Sequence, residues 1–199
     1  MFLFGKKQNH KTIGQIILGF GILFFGLKYM SSDSAMGVLK SSAAFQAFIT
    51  KASNPFLGIL IGVLICSVLQ SSSAAIGILQ VLALQGIMPL KFAFFLIIGI
   101  NVGSVMPLFI SSIGAKTNAK RAVFVFFFID FVGMLIFTPI AIFTPFTDWV
   151  ASFSTNGSVQ VAAAHIIFKT VPAIVLVPFV KYTRGHKISS YKFSVWQNL

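Results

Sequence analysis

Apolar residues in this chain come in long continuous runs. They do not alternate as on a half-buried strand, nor do they mark one stripe of a surface helix. The runs cover residues 13–30, 54–89, 92–113, 122–143 and 159–180. A helix rises 1.5 Å per residue, so a hydrocarbon core of ~30 Å needs ~20 residues. The runs 13–30, 92–113, 122–143 and 159–180 therefore predict four spanning helices. Gly14, Gly19, Gly21 and Gly26 in the first run are small enough for close helix packing. Residues 31–53 are more polar, with Lys40 and Lys51, and predict an interfacial amphipathic helix. Residues 114–121 and 144–158 read as loops.

The run 54–89 is different. Gln70-Ser71-Ser72-Ser73 interrupts it once, leaving apolar arms of about 15 residues, or ~23 Å of helix each. Neither arm comfortably crosses the membrane. Two half-helices that enter and return, meeting at a polar tip, fit the lengths better. Such backbone survives at membrane depth only when protein covers it or a cavity solvates it.

Composition and charge narrow the class. Hydrophobic residues make up 57% of the 199 positions and charged residues 9%, and mean hydropathy is +0.94. Soluble domains carry ~25% charged residues. A soluble enzyme, a disordered chain and a nucleic-acid-binding domain are excluded, although the net charge is +12. In a membrane chain that excess is a topology signal and an attraction to anionic lipid. With Lys6, Lys7 and Lys11 in the cytoplasm, an even number of crossings in 54–89 puts Lys116, Lys120 and Arg121 inside. The Lys- and Arg-free loop 144–158 then lies outside, and the tail with Lys181, Arg184, Lys187 and Lys192 inside. Lys40, Lys51 and Lys91 fall outside, against the trend. The predicted organisation is a basic cytoplasmic N-terminus over 1–12, a membrane domain over 13–180 and a basic cytoplasmic tail over 181–199. The cell membrane is the expected location. No A-x-A-like cleavage site follows the first run, so it reads as a retained span. Trp149, Tyr182 and Trp196 suit interfacial belts.

Candidate chemistry concentrates at polar residues inside the runs. Four hydrogen-bonding side chains in a row, Gln70, Ser71, Ser72 and Ser73, are costly in hydrocarbon. A water-facing turn would explain them. A binding tip explains them better: N–H groups at a half-helix N-terminus favour an anion, while serine oxygens and freed carbonyls suit Na⁺. Asn101 sits mid-run between Gly99 and Gly103, where a helix–helix hydrogen bond is the plainer reading. Asp130 lies nine residues from Arg121, ~13 Å, and Lys169 twelve residues from Lys181, ~18 Å. The ~5 Å difference is within reach of a lysine, so the two are expected to form a buried ion pair. Alternatively, Lys169 attracts an anion or Asp130 carries a proton. Ser67 reads as a supporting hydroxyl, and His165 and Cys66 as packing. No G-x-S-x-G occurs, and an intramembrane hydrolase is set aside; the chain is read as no enzyme.

Residues 58–74, ending in Gln70-Ser71-Ser72-Ser73-Ala74, resemble the sodium-dependent phosphate cotransporter family, of the type II class. Gly99-Ile100-Asn101-Val102-Gly103-Ser104 is similar to that family's GxNxGT element. The stretch from Ser111 to Ala122 is similar to the following loop, and Ala164-His165-Ile166-Ile167-Phe168 to a later AH-x-x-F-N element. The resemblance implies an all-α integral membrane fold, with about four spanning helices and one re-entrant hairpin at about 54–89. It further implies half of an inverted-repeat transporter, similar to the second half. It makes Gln70, Ser71, Ser72, Ser73, Asn101 and Ser104 substrate- and ion-binding residues, with Na⁺ at Gln70, Ser72 and Asn101. Ser104-Val105 stands where the family has Thr-Thr or Thr-Cys, Phe126 where it has His, and Asp130 and Lys169 where it has Asn.

The expected function is sodium-coupled phosphate transport by a half-transporter. Its partners would be inorganic phosphate, Na⁺, the lipid bilayer and a second QSSS-bearing half, in a separate chain or a homo-oligomer. No cofactor or resident metal is expected beyond Na⁺ as coupling ion, and no nucleic acid. The alternative is a non-transporting membrane subunit, or a remnant, that retains the fold.

Overall fold

A computed structural model describes residues 8–30, 32, 37–38, 41–52 and 54–184. Lys6, Lys7, Lys40, Lys187, Lys192 and Trp196, and so most of both basic ends, lie outside the described residues. Those described form helices and no strands: α1 (Gln8–Met30), α2 (Ala43–Ala52), α3 (Pro55–Leu69), α4 (Ser72–Leu84), α5 (Leu90–Gly103), α6 (Met106–Ser112), α7 (Thr117–Phe143), α8 (Phe146–Ala151) and α9 (Gly157–Arg184). Four segments are long and apolar enough to cross a membrane: Lys11–Met30, Leu90–Ser112, Thr117–Phe143 and Gly157–Leu176. The protein is an all-α, multi-pass membrane protein.

α5 is the centre. Its residues from Phe92 to Gly103 are all buried, as expected of a helix apolar on every side. Helices α3, α4, α7, α8 and α9 surround it. The closest packing is α3 on α5, and glycine makes it possible. A Cβ at Gly99 would overlap the Ile59 carbonyl, one at Gly62 the Leu96 carbonyl, and one at Gly103 would stand 2.6 Å from the Val63 oxygen. Gly62 on α3 and Gly99-x-x-x-Gly103 on α5 thus bring two backbones together, as small residues do between membrane helices. On the opposite side Phe94 meets Phe137, Phe146 and Phe168 at centroid distances of 6.0, 5.2 and 6.5 Å. These tilted and edge contacts tie α7, α8 and α9 to the centre.

Three details differ from the sequence expectation. The run 92–113 is one span in length, Leu90–Ser112, but its hydrogen-bond ladder is interrupted at Ser104–Val105 between α5 and α6. Pro107 has no N–H to give the Gly103 carbonyl, the Val105 N–H turns to the Val102 carbonyl at 3.3 Å, and the Ser104 hydroxyl donates to the Asn101 carbonyl at 2.6 Å. The loop 144–158 contains a short helix, α8, whose Thr147 and Val150 are buried. Finally, Gly19, Gly21 and Gly26 face open space. α1 leaves Ile17, Ile22, Phe24 and Phe25 exposed, and its main contact is with α4. Of the four glycines expected to pack there only Gly14 is buried; the close backbone packing is between α3 and α5.

Candidate functional site: the hairpin tip and the polar level beside it

The apolar run 54–89 folds as two short helices, α3 and α4, separated by two residues. α3 begins at Asn54, whose side chain accepts from the Phe56 N–H at 3.0 Å, with Pro55 in the first turn. It ends at Gln70, at φ 54° and ψ 20°. This is the one non-glycine residue with positive φ among the described residues. A left-handed residue is a common helix stop, though one that normally favours Gly or Asn. Ser71 is extended and caps α4, its Oγ accepting from the Ala74 N–H at 3.2 Å. The carbonyl end of one helix and the N–H end of the next therefore converge at Gln70–Ser71. Gln70, Ser71 and Ser73 are exposed and Ser72 half-buried.

Helix directions set what lies at the level of this tip. α3 and α5 run parallel, since Ile59 meets Gly99 and Val63 meets Gly103. Cys66, one turn before Gln70, therefore lies beside the α5–α6 break at Ser104. α4 and α9 run antiparallel: Gly157, at the start of α9, abuts the Ala83 carbonyl near the end of α4, and the two helices pack along their lengths. Twelve residues separate Ala83 from Ser71, and twelve separate Gly157 from Lys169. Both steps are ~18 Å of helix. Lys169 thus stands at the depth of the tip.

The Lys169 Nζ lies 2.8 Å from Asp130 Oδ1. The two partners differ in exposure: the Asp130 side chain is 6% exposed and that of Lys169 43%. One turn away along α9, His165 Nε2 lies 3.3 Å from Asn101 Oδ1. Asn101 is fully buried, and its Nδ2 donates to the Ile97 carbonyl at 2.7 Å. That donation fixes the amide orientation, so His165 is the donor to Oδ1.

The predicted site residues thus fall into two groups. Gln70, Ser71, Ser72 and Ser73 form the open tip. Asn101 and Ser104 are engaged inside α5, by Ile97 and His165 and by the Asn101 carbonyl respectively. Ser67 bonds back to the Val63 carbonyl at 2.7 Å. His165, read from the sequence as a satisfied packing histidine, is half-buried and has Asn101 Oδ1 as its partner.

A bundle with a broken helical hairpin, and with polar residues gathered at one depth inside it, has the build of a secondary transporter. The family model for Na⁺/Pi-cotransporter matches residues 37–155, and the chain belongs to that family. It is 25% identical over 178 residues to "Uncharacterized protein YqeW" of Bacillus subtilis, covering 89% of this chain and 57% of that protein. It is 23% identical over 182 residues to "Putative inorganic phosphate export protein YjbB" of Salmonella typhimurium, covering 91% of this chain and 33% of that protein. It is 27% identical over 145 residues to "Sodium-dependent phosphate transport protein 2B" of Homo sapiens, covering 68% and 21%. The chain therefore spans from about a fifth to somewhat over half the length of these relatives. No solved structure matches it.

Proposed function

We propose that this chain is a half-transporter for inorganic phosphate, coupled to Na⁺, in which α3 and α4 form a re-entrant hairpin. The observation that carries the reading is the break at Gln70–Ser71. It gathers helix N–H groups, hydroxyls and a carboxamide at one exposed point of an otherwise apolar pair of helices. The positive end of α4 suits an oxyanion, while the carbonyl end of α3 and the serine oxygens suit Na⁺. At 15 and 13 residues, the two helices reach ~23 and ~20 Å, short of a full crossing. The names of the relatives supply phosphate as the substrate class. The described residues hold one such tip, and the large apolar side chains exposed on α1 and α3 leave room for a second half. The reading has both termini in the cytoplasm, which the Lys/Arg distribution supports, and the protein in the cell membrane.

The test is phosphate uptake into vesicles holding only this chain, with and without an inward sodium gradient, beside a Gln70→Ala/Ser72→Ala variant. The half-transporter reading expects no uptake from the lone chain. Sodium-driven uptake that the double variant abolishes would mean that copies of this chain assemble a complete transporter without a second half. One observation favours a different reading, a non-transporting subunit: two charged residues, Asp130 and Lys169, occupy the level at which ions would bind. A subunit of that kind binds no phosphate at all.

A further inference from the structure

Lys169 is more than the neutralising partner of Asp130. A lysine kept only to balance a buried carboxylate is best buried along with it, since exposure weakens the pairing. Here the carboxylate is buried and the lysine is not: the two side chains are 6% and 43% exposed. An ammonium carries three donors, and Asp130 Oδ1 is the one hydrogen-bond partner it has among the described residues. It stands at the depth of Ser71, set by the Gly157–Ala83 contact and the matching twelve-residue runs of α4 and α9. The only acid within the spanning helices of the described residues is Asp130, so no second carboxylate competes for the remaining protons.

We propose that Lys169 is an anion-binding residue of the tip, its ammonium shared between Asp130 and the bound oxyanion. This rests on the reading that the hairpin tip takes phosphate. Asp130 anchors the long side chain through one N–H, and the other two face the anion held by the start of α4. A lysine is suited to this as a point charge on a flexible stem, able to follow a phosphate that must later leave. Neutral donors at the helix start and a fixed positive charge opposite them then hold the anion from two sides. Asp130 is a positioning residue and does not touch the ligand.

The experiment is equilibrium binding of radiolabelled inorganic phosphate to the purified full chain in nanodiscs, with thermal unfolding as a check on the fold. Lys169→Gln/Asp130→Asn removes both charges and leaves no unpaired buried carboxylate. It is expected to weaken phosphate binding at least tenfold. Lys169→Arg keeps the charge and is expected to stay within a few fold of the parent. Asp130→Asn alone keeps the ammonium without its anchor and is expected to bind phosphate more weakly than the parent but more tightly than Lys169→Gln/Asp130→Asn. A purely structural ion pair predicts that each of these variants, where folded, binds as the parent does. Equal binding by the parent and the folded Lys169→Gln/Asp130→Asn variant would overturn the proposal and leave the tip reading standing. A parent chain that binds no phosphate would overturn the tip reading and this proposal together.

Discussion

Charged side chains inside a membrane protein are expensive enough to be informative one at a time. Removing the partner of a buried charge leaves it without compensation, at a cost that the half-exposed Lys169 side chain reduces below that of a fully buried pair. Lys169→Ala is therefore expected to lower the thermal midpoint of the purified chain. The reversed pair Asp130→Lys/Lys169→Asp should recover part of it; reversal no better than Asp130→Lys alone would contradict a direct pairing. Gln70 offers the converse experiment. Its left-handed backbone costs an L-residue roughly 1–2 kcal/mol, which glycine does not pay, although glycine loses part of that gain to unfolded-state entropy. Gln70→Gly should leave stability unchanged or raise it by up to about 1 kcal/mol while weakening phosphate binding. A change that stabilises the fold and damages binding would mark Gln70 as functional rather than structural. At this scale much is legible in the sequence. Four polar residues in an apolar run, and two opposite charges at similar depths in separate runs, stand out by their cost. The contact between His165 and Asn101 does not, because 64 residues separate them and neither hydropathy nor spacing points from one to the other.

At the scale of helices, the packing of α3 on α5 is the strictest feature of the fold. The Cβ of alanine at position 99 would meet the Ile59 backbone, which cannot move aside as a flexible side chain can. Gly99→Ala should therefore destabilise the chain by several kcal/mol, or prevent its extraction as a folded protein. Gly21→Ala, in open space on α1, should be neutral or slightly favourable, since alanine is the better helix former by about 1 kcal/mol. Thermal unfolding of the two variants in one detergent decides the matter, and equal effects would contradict the close contact. The glycines of the Gly99–Asn101–Gly103 element thus have a steric role that their place in a family motif does not reveal. The helix break at Ser104–Val105 was hidden for a related reason. Hydropathy continues through Val105 and Met106, and the one local signal, Pro107, is also tolerated in the first turn of a helix. The two arms of the hairpin were legible because length is a hard constraint: 15 residues do not make a comfortable span.

At the scale of the molecule, the chain buries one core around α5 and leaves much of α1, and the outer faces of α3 and α7, apolar and exposed. Lipid covers such faces in a membrane, and so does a second helical half. On the proposed function, the broken hairpin supplies one side of a two-sided site. The central claim is that this side already holds phosphate at the hairpin tip with the help of Na⁺. Its most direct test is equilibrium phosphate binding by the purified chain, measured in sodium and in potassium, beside Gln70→Ala/Ser72→Ala. The account predicts binding that sodium strengthens and that the double variant loses while keeping its thermal midpoint. Absence of phosphate binding in sodium, or equal binding by the folded double variant, would contradict it.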